Sequence, residues 1–189
     1  KTVNVPVPGK PMIHDCAITE HYVVVFDLPC TFDVQAAMNG PFPYVWNPDY
    51  GARVGLLPRD GQGSDVRWFE VPLCYVFHPM NAYETADGQV VMDVCRHPKM
   101  FDRDKNGPNE GRPTLDRWVI DPSSGKVATE TISDLGHEFP RHDERRIGKP
   151  IRFGYTGSLG DRLGVGPIYK HDLEKRTTEI HGTEAGRMF

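Results

Sequence analysis

Apolar and polar residues follow a rhythm of short strands and turns along most of the chain. The run His21–Leu28 is β-branched and aromatic, which predicts a buried strand, and Val66–Val71 alternates around two aromatic residues. Leu73–Glu84 is followed by Asp-Gly and then by Gln89–Val94. This pattern predicts a hairpin, because Asp-Gly readily adopts the positive φ angles that a tight turn needs.

Two later segments repeat this form. A turn rich in Ser, Pro and Gly separates Leu115–Ile120 from Lys126–Ile132, and Ile168–Ile180 lacks apolar residues at helical spacing and is predicted as two strands around a polar turn. Asn39–Tyr50 and His97–Pro113 are predicted as loops. Recurring hairpins indicate an all-β fold and favour a β-propeller, although no clean sequence repeat accompanies them.

Composition and charge narrow the function classes. The 19 Gly and 17 Pro make up about a fifth of the 189 residues, against ~12% in an average protein, which suits many turns. With 22 basic and 26 acidic residues, the net charge of −4 argues against a nucleic-acid partner. No apolar run approaches the ~18 residues of a membrane span. Membrane association and oligomeric state are left open.

The four cysteines are predicted to be buried free thiols rather than two disulfides. Their spacing contains no CxxC pair, and Cys16, Cys74 and Cys95 lie in apolar, strand-like runs, with Cys30 as the exception. Reduced thiols favour a reducing compartment, so we expect a cytoplasmic location.

Two of the eight histidines stand out by their context. His14 lies in an apolar segment before the first predicted strand, and His78 follows Tyr-Val-Phe and precedes a proline that cannot donate to a β-ladder. A polar ring there is costly unless it is paired or bound to metal. The residues alone leave both a metal-binding and a structural role open. A calcium-dependent propeller hydrolase would need clustered Asp and Asn ligands, whereas the Asp residues lie mainly in turns.

Three segments resemble signature motifs of the carotenoid cleavage oxygenases, a family that includes lignostilbene dioxygenases and a retinoid isomerohydrolase. The first is His14-Asp15-Cys16-Ala17-Ile18-Thr19 with Tyr22, the second is Phe77-His78-Pro79-Met80-Asn81-Ala82-Tyr83-Glu84, and the third is Asp134-Leu135-Gly136-His137-Glu138-Phe139-Pro140-Arg141, ahead of Gly148-Lys149-Pro150 and Tyr155. They occur in the family's order, and the resemblance covers essentially the whole chain. Cys16 departs from the aromatic residue that is usual at its position.

The resemblance implies a seven-bladed β-propeller that holds one ferrous ion on four histidines, three of them oriented by glutamates. His14 and His78 match the second and third metal ligands, and Glu138 matches one orienting glutamate. The other two ligands are expected upstream of Lys1 and downstream of Phe189, so the chain resembles an internal segment of about four blades, with residues 1–189 as a single partial domain. His97, His137 and His181 match no ligand motif.

The function implied by the resemblance is iron(II)-dependent cleavage of a carbon–carbon double bond by dioxygen, which gives two carbonyl products. The substrate would be a carotenoid, an apocarotenoid or a stilbene-like compound, with isomerohydrolase chemistry as the in-family variant. Phe77 and Phe139 are candidates for lining a hydrophobic substrate tunnel, or for ordinary blade packing. The segment alone is expected to be inactive. The alternative is a non-catalytic β-propeller or β-sandwich binding module in which the histidines are structural.

Overall fold

The computed structural model describes residues 2–159 and 166–182, and these residues are almost entirely β-structure. The strands are β1 (Ala17–Ile18), β2 (Tyr22–Asp27), β3 (Cys30–Phe32), β4 (Tyr44–Trp46), β5 (Arg53–Pro58), β6 (Arg67–Glu70), β7 (Tyr75–Glu84), β8 (Val90–His97), β9 (Thr114–Asp121), β10 (Lys126–Ser133), β11 (His137–Arg141), β12 (Phe153–Ser158), β13 (Ile168–Asp172) and β14 (Thr177–His181). The α-helix α1 spans Val34–Asn39, and 3₁₀ turns span Pro48–Tyr50, Gly63–Asp65 and Glu144–Arg146.

The strands form three four-stranded antiparallel sheets and one two-stranded pair within the described ranges. The first sheet has the order β1-β2-β5-β6, the second β10-β9-β8-β7 and the third β11-β12-β13-β14, while β3 pairs with β4. Within the second and third sheets, consecutive strands are neighbours throughout, as in the blades of a propeller. The predicted all-β class is confirmed.

The predicted hairpins are present, because their turns are specified locally. Gly88 has φ 80° between β7 and β8, and Gly125 has φ 74° between β9 and β10, as tight turns require. The prediction of Asn39–Tyr50 as a loop was wrong in part, since β4 lies inside it and pairs with β3. A strand of three residues is too short for an alternation of apolar and polar residues to predict it. Its residues are only half-buried.

The main core lies between the first and second sheets. Val24 and Phe26 of β2 are buried, and the Phe26 ring meets the fully buried Trp118 of β9 edge-to-face at 6.4 Å between centroids. Each such side chain contributes roughly 1.5–3 kcal/mol by leaving water. Strand β7 forms the edge of the second sheet and also contacts β1 and β11. Residues on β7 can therefore meet side chains from the other two sheets.

Burial of the cysteines differs from the prediction at Cys16 alone. All four are free, as expected, but Cys16 is exposed while Cys30 is fully buried in β3. Cys74 and Cys95 are buried as predicted. The apolar segment around Cys16 lies at the surface of the first sheet, where β1 is only two residues long. Helix α1 has six residues, and nowhere in the described ranges is a helix both long enough and apolar enough to cross a bilayer.

Candidate metal centre

His78 lies in the middle of β7, at an irregularity in the strand. The β7–β8 register shifts on both sides of Pro79, between Val76 and Pro79 and again between Pro79 and Asn81. Pro79 cannot donate a ladder hydrogen bond, and a bulge of this kind re-aims the neighbouring side chain. Strand β7 continues through Pro79 to Glu84, within the arm Leu73–Glu84 of the predicted hairpin.

His14 reaches the same place from the segment before β1. Its ring lies 4.8 Å from the ring of His78, centroid to centroid, and the two planes are nearly perpendicular at 88°. His14 is exposed and His78 is partly buried, with 21% of its side chain accessible. The two predicted ligands, 64 positions apart in the sequence, are thus neighbours in space.

Glu138 provides the carboxylate that the sequence predicted beside a ligand. It lies on β11, is buried with 3% exposure, and its Oε2 is 2.6 Å from His78 Nδ1. His97 Nε2 lies 2.7 Å from the other oxygen, Oε1, and the Phe139 backbone N–H donates to Oε2 at 2.7 Å. Burial by itself would raise the pKa of Glu138, but the hydrogen bonds from His78 and His97 outweigh it and lower the pKa to about 2. The carboxylate is therefore ionised and acts as an acceptor.

Glu138 is aimed inward by an irregular stretch of backbone. Phe139 has φ 51°, a left-handed conformation that is rare for a large side chain, and the β11–β12 register shifts between Glu138 and Arg141. The turned backbone places the Phe139 N–H on the Glu138 carboxylate. The unfavourable φ angle of Phe139 is thus offset by the hydrogen bond that its N–H donates to the carboxylate, beside the bond from His78.

Phe77 and Phe139, the two candidate substrate-lining residues, both make ring contacts with the histidine pair. The Phe77 ring is partly buried and lies 5.3 Å from His14, 5.2 Å from His97 and 4.7 Å from Tyr75. The Phe139 ring is 5.4 Å from His78 and 47% exposed. Phe77 therefore also takes part in blade packing, whereas Phe139 presents an accessible apolar face beside His78.

His97 is the site residue that sequence reasoning missed. It matches no ligand motif, and the structure places it on Glu138, with its ring fully buried at the end of β8. The sequence around it gives little signal, since Arg96 directly precedes it and Asp93 interrupts the apolar residues of the strand. His137 and His181 do not join the cluster: His137 is buried in the third sheet and His181 is exposed at the end of β14.

The histidine pair by itself does not complete a metal site. Among residues 2–159 and 166–182, no group of three or more His, Cys, Asp or Glu side chains could hold a metal ion. Two imidazoles meet with one ring fixed by a carboxylate, which leaves Nε2 of His78 without a hydrogen bond from Glu138. These donor atoms are of the kind that divalent transition metals bind, so the chemistry of the pair fits such an ion.

Comparison with known proteins decides the family. A family model described as retinal pigment epithelial membrane protein matches residues 1–189. The carotenoid cleavage oxygenase of Mycobacterium tuberculosis is 39% identical over 222 residues, which cover 91% of this chain and 44% of that protein. The chain belongs to the carotenoid cleavage oxygenase family. The isoeugenol monooxygenase of Pseudomonas putida is 31% identical and covers 79% of the chain and 33% of its own length.

The fold comparison agrees with this family. The crystal structure of the cobalt-substituted apocarotenoid oxygenase of Synechocystis superposes with a TM-score of 0.81 at 27% identity, and the match covers 93% of this chain and 39% of that one. The three four-stranded sheets are thus part of the family's seven-bladed β-propeller. The chain spans less than half the length of these relatives, and its extent as one partial domain, residues 1–189, stays a prediction.

Proposed function

We propose that the protein containing this chain is a non-haem iron(II) oxygenase that cleaves a carbon–carbon double bond and releases two carbonyl compounds. The observation that carries the proposal is the cluster of His14, His78 and Glu138, which three segments far apart in the sequence bring together. Each carbonyl product would receive one atom of a dioxygen molecule, so the atoms of alkene and dioxygen balance.

The donor atoms fit ferrous iron. Glu138 accepts the Nδ1 hydrogen of His78, so the Nε2 lone pair faces away from the carboxylate and can bind a metal. His14 stands beside it as the second ligand. Neutral imidazoles bind divalent transition metals, iron among them, and iron would supply the dioxygen chemistry. We expect the remaining two ligands outside this chain, so that residues 1–189 alone are inactive.

The chain's own residues would orient the metal ligands and shield the substrate from water, and they would not transfer protons. Glu138 holds the His78 ring through a 2.6 Å hydrogen bond and is itself almost inaccessible to water. Phe139 offers an exposed aromatic face 5.4 Å from that ring, where an apolar, conjugated substrate could lie. Phe77 backs His14 from the core side. Positioning the double bond and excluding water are the protein's share of such catalysis.

The proposed substrate is a carotenoid, an apocarotenoid or a stilbene-like compound. The names of two relatives, one for carotenoid cleavage and one for isoeugenol, support conjugated alkenes with and without a phenolic ring as substrates. A reducing, cytoplasmic setting is part of the proposal, and the buried free thiols Cys30, Cys74 and Cys95 support it.

The test uses the intact protein. Purified enzyme should contain about one iron per chain by elemental analysis and should convert an apocarotenoid or a hydroxystilbene to two carbonyl compounds that mass spectrometry identifies. ¹⁸O₂ should label both products. A folded, iron-free protein that turns over neither substrate after reconstitution with Fe²⁺ would favour the binding-module alternative and refute the proposal.

A further inference from the structure

The Glu138 carboxylate is held by two histidines, and the proposed function accounts for only one of them. His78 Nδ1 lies 2.6 Å from Oε2, and His97 Nε2 lies 2.7 Å from Oε1. The His97 side chain is 1% exposed and that of Glu138 is 4% exposed, so water does not compete for the second bond. A hydrogen bond between a carboxylate and a ring N–H is strong in such surroundings.

Among the described residues, the His97 ring hydrogen-bonds only to Glu138. Its second nitrogen, Nδ1, is buried and has no hydrogen-bond partner among the described residues. On its other side the ring packs edge-on against Phe77 at 5.2 Å. An apolar side chain would fill this space without burying an unpaired nitrogen. Packing therefore does not explain a histidine here, whereas a donor for Oε1 of Glu138 does.

Each carboxylate oxygen has its own donor, and this division fixes the plane of the group. Without His97, Oε1 would be buried without a hydrogen-bond partner, which is costly. The carboxylate could then rotate until Oε1 takes one of the donors that now bond to Oε2. Rotation would weaken the bond to Nδ1 of His78. The tautomer and the direction of the His78 ring depend on that bond.

We propose that His97 is a positioning residue that locks the Glu138 carboxylate and thereby keeps His78 in the Nδ1–H tautomer, with Nε2 free for a metal. The effect of His97 on Glu138 and on the His78 tautomer follows from the hydrogen bonds alone, whereas its effect on metal binding rests on the proposed function. One experiment therefore tests the tautomer and another tests metal affinity.

The first experiment needs no metal. In intact, metal-free protein labelled with ¹⁵N-histidine, long-range ¹H–¹⁵N correlation spectra report the tautomer of each ring, and His78→Gln identifies the His78 signals. We expect one Nδ1–H tautomer in the wild type, a mixture with the Nε2–H form in His97→Leu, and recovery in His97→Gln, whose amide can donate to Oε1. His171→Leu removes another buried histidine, from the third sheet, and should leave the His78 signals unchanged.

A folded His97→Leu protein with an unchanged His78 tautomer would overturn the proposal. If that variant does not fold, His97→Asn takes its place, because its shorter amide cannot reach Oε1 and the same mixture is expected. Equal shifts in His97→Leu and His171→Leu would also contradict it, since they would indicate general loosening rather than a specific bond.

The second experiment measures metal affinity in a double-mutant cycle, with Co²⁺ alone as the probe. Residues that orient a ligating histidine typically change affinity by 10–100-fold, so we expect about a tenfold loss for His97→Leu. In the Glu138→Gln background the same change should cost less than about twofold, because His97 acts through Glu138. Equal losses in both backgrounds would refute this route. Failure of wild-type protein to bind Co²⁺ or Fe²⁺ would count against the proposed function, and the tautomer experiment would still decide the role of His97.

Discussion

Oε2 of Glu138 lies 2.6 Å from Nδ1 of His78, although the two residues are 60 positions apart and belong to different sheets. The bond joins the edge strand of the second sheet to the edge strand of the third. It fixes one of the two imidazoles that meet at the candidate metal centre.

Glu138→Gln should weaken metal binding and activity more than stability. The amide oxygen can still accept one ring N–H, but the amide nitrogen then faces the other histidine. We expect metal affinity and kcat/KM to fall by about 10–100-fold in the intact protein. Metal titration, steady-state kinetics and chemical denaturation measure the three quantities. Glu130→Gln, at an exposed position paired with Arg176, is the matched control. Normal turnover in Glu138→Gln would show that the carboxylate does not orient a ligand.

His14→Ala and His78→Ala should each abolish stoichiometric metal binding. Each removes one imidazole from the pair whose rings lie 4.8 Å apart. Iron content of the intact protein should fall from about one per chain to below about 0.1, because a site of neutral donors tolerates the loss of one poorly. Elemental analysis after gel filtration gives the occupancy. His181→Ala removes an exposed histidine and should retain full iron; full occupancy in either ligand variant would contradict the assignment.

Acid should destabilise the third sheet before the carboxylates titrate. His137 and His171 form a buried chain in which Thr156 Oγ1 lies 2.9 Å from a nitrogen of each ring. Burial, with a smaller effect of His171, lowers the pKa of His137 to about 3, and burial lowers the pKa of His171 to about 4. Both rings are neutral in the folded state, whereas they bind protons near pH 6.5 when unfolded.

The direction of the pH dependence of stability follows from the number of protons that each state binds. Between pH 6.5 and about 4 the unfolded state holds more protons, so the free energy of unfolding falls as the pH falls, by about 1.5 kcal/mol per histidine between pH 6.5 and 5. Urea denaturation at several pH values measures this slope, and His171→Gln should reduce it. His21→Gln, which removes an exposed histidine, should not. A slope unchanged in His171→Gln would disprove the link.

The left-handed backbone at Phe139 makes a prediction about side-chain shape. A β-branched residue is strongly disfavoured at φ 51°, whereas asparagine tolerates it. Phe139→Val should therefore be less stable than Phe139→Asn by about 1–2 kcal/mol, although valine is the more apolar residue. Chemical denaturation compares the two. Greater stability of the valine variant would mean that this φ angle is not maintained in solution.

The local part of the fold could be predicted from the sequence, because turn residues specify it. Gly88 and Gly125 adopt the positive φ angles that their hairpins require, and the strands around them lie where apolar alternation indicated. Strand β4 and helix α1 were missed, since three half-buried residues and six exposed or half-buried ones carry no clear periodicity. The burial of Cys30 has no signal in its own neighbourhood for the same reason, because burial of β3 depends on neighbouring strands rather than on its own pattern.

The candidate site was predicted in part. His14, His78 and Glu138 were found through motif resemblance, and the structure brings them together. No local rule could place His97 on Glu138, because that bond spans 41 positions and depends on how the second sheet packs against the third. The left-handed backbone at Phe139, which orients the Glu138 carboxylate, could not be predicted from the sequence either, since phenylalanine gives no signal for a positive φ angle.

The hydrogen-bonded triad His78, His97 and Glu138 is spread over β7, β8 and β11, and this spread also determines how the segment can be exchanged between relatives. A chimaera whose junction falls between residues 98 and 136 takes both histidines from one parent and the glutamate with its turned backbone from the other. Junctions before residue 73 or after residue 141 keep the three side chains in one inherited block. Recombinants of the first type should fold through their separate sheets and yet hold metal poorly unless both parents share the His97–Glu138 pair.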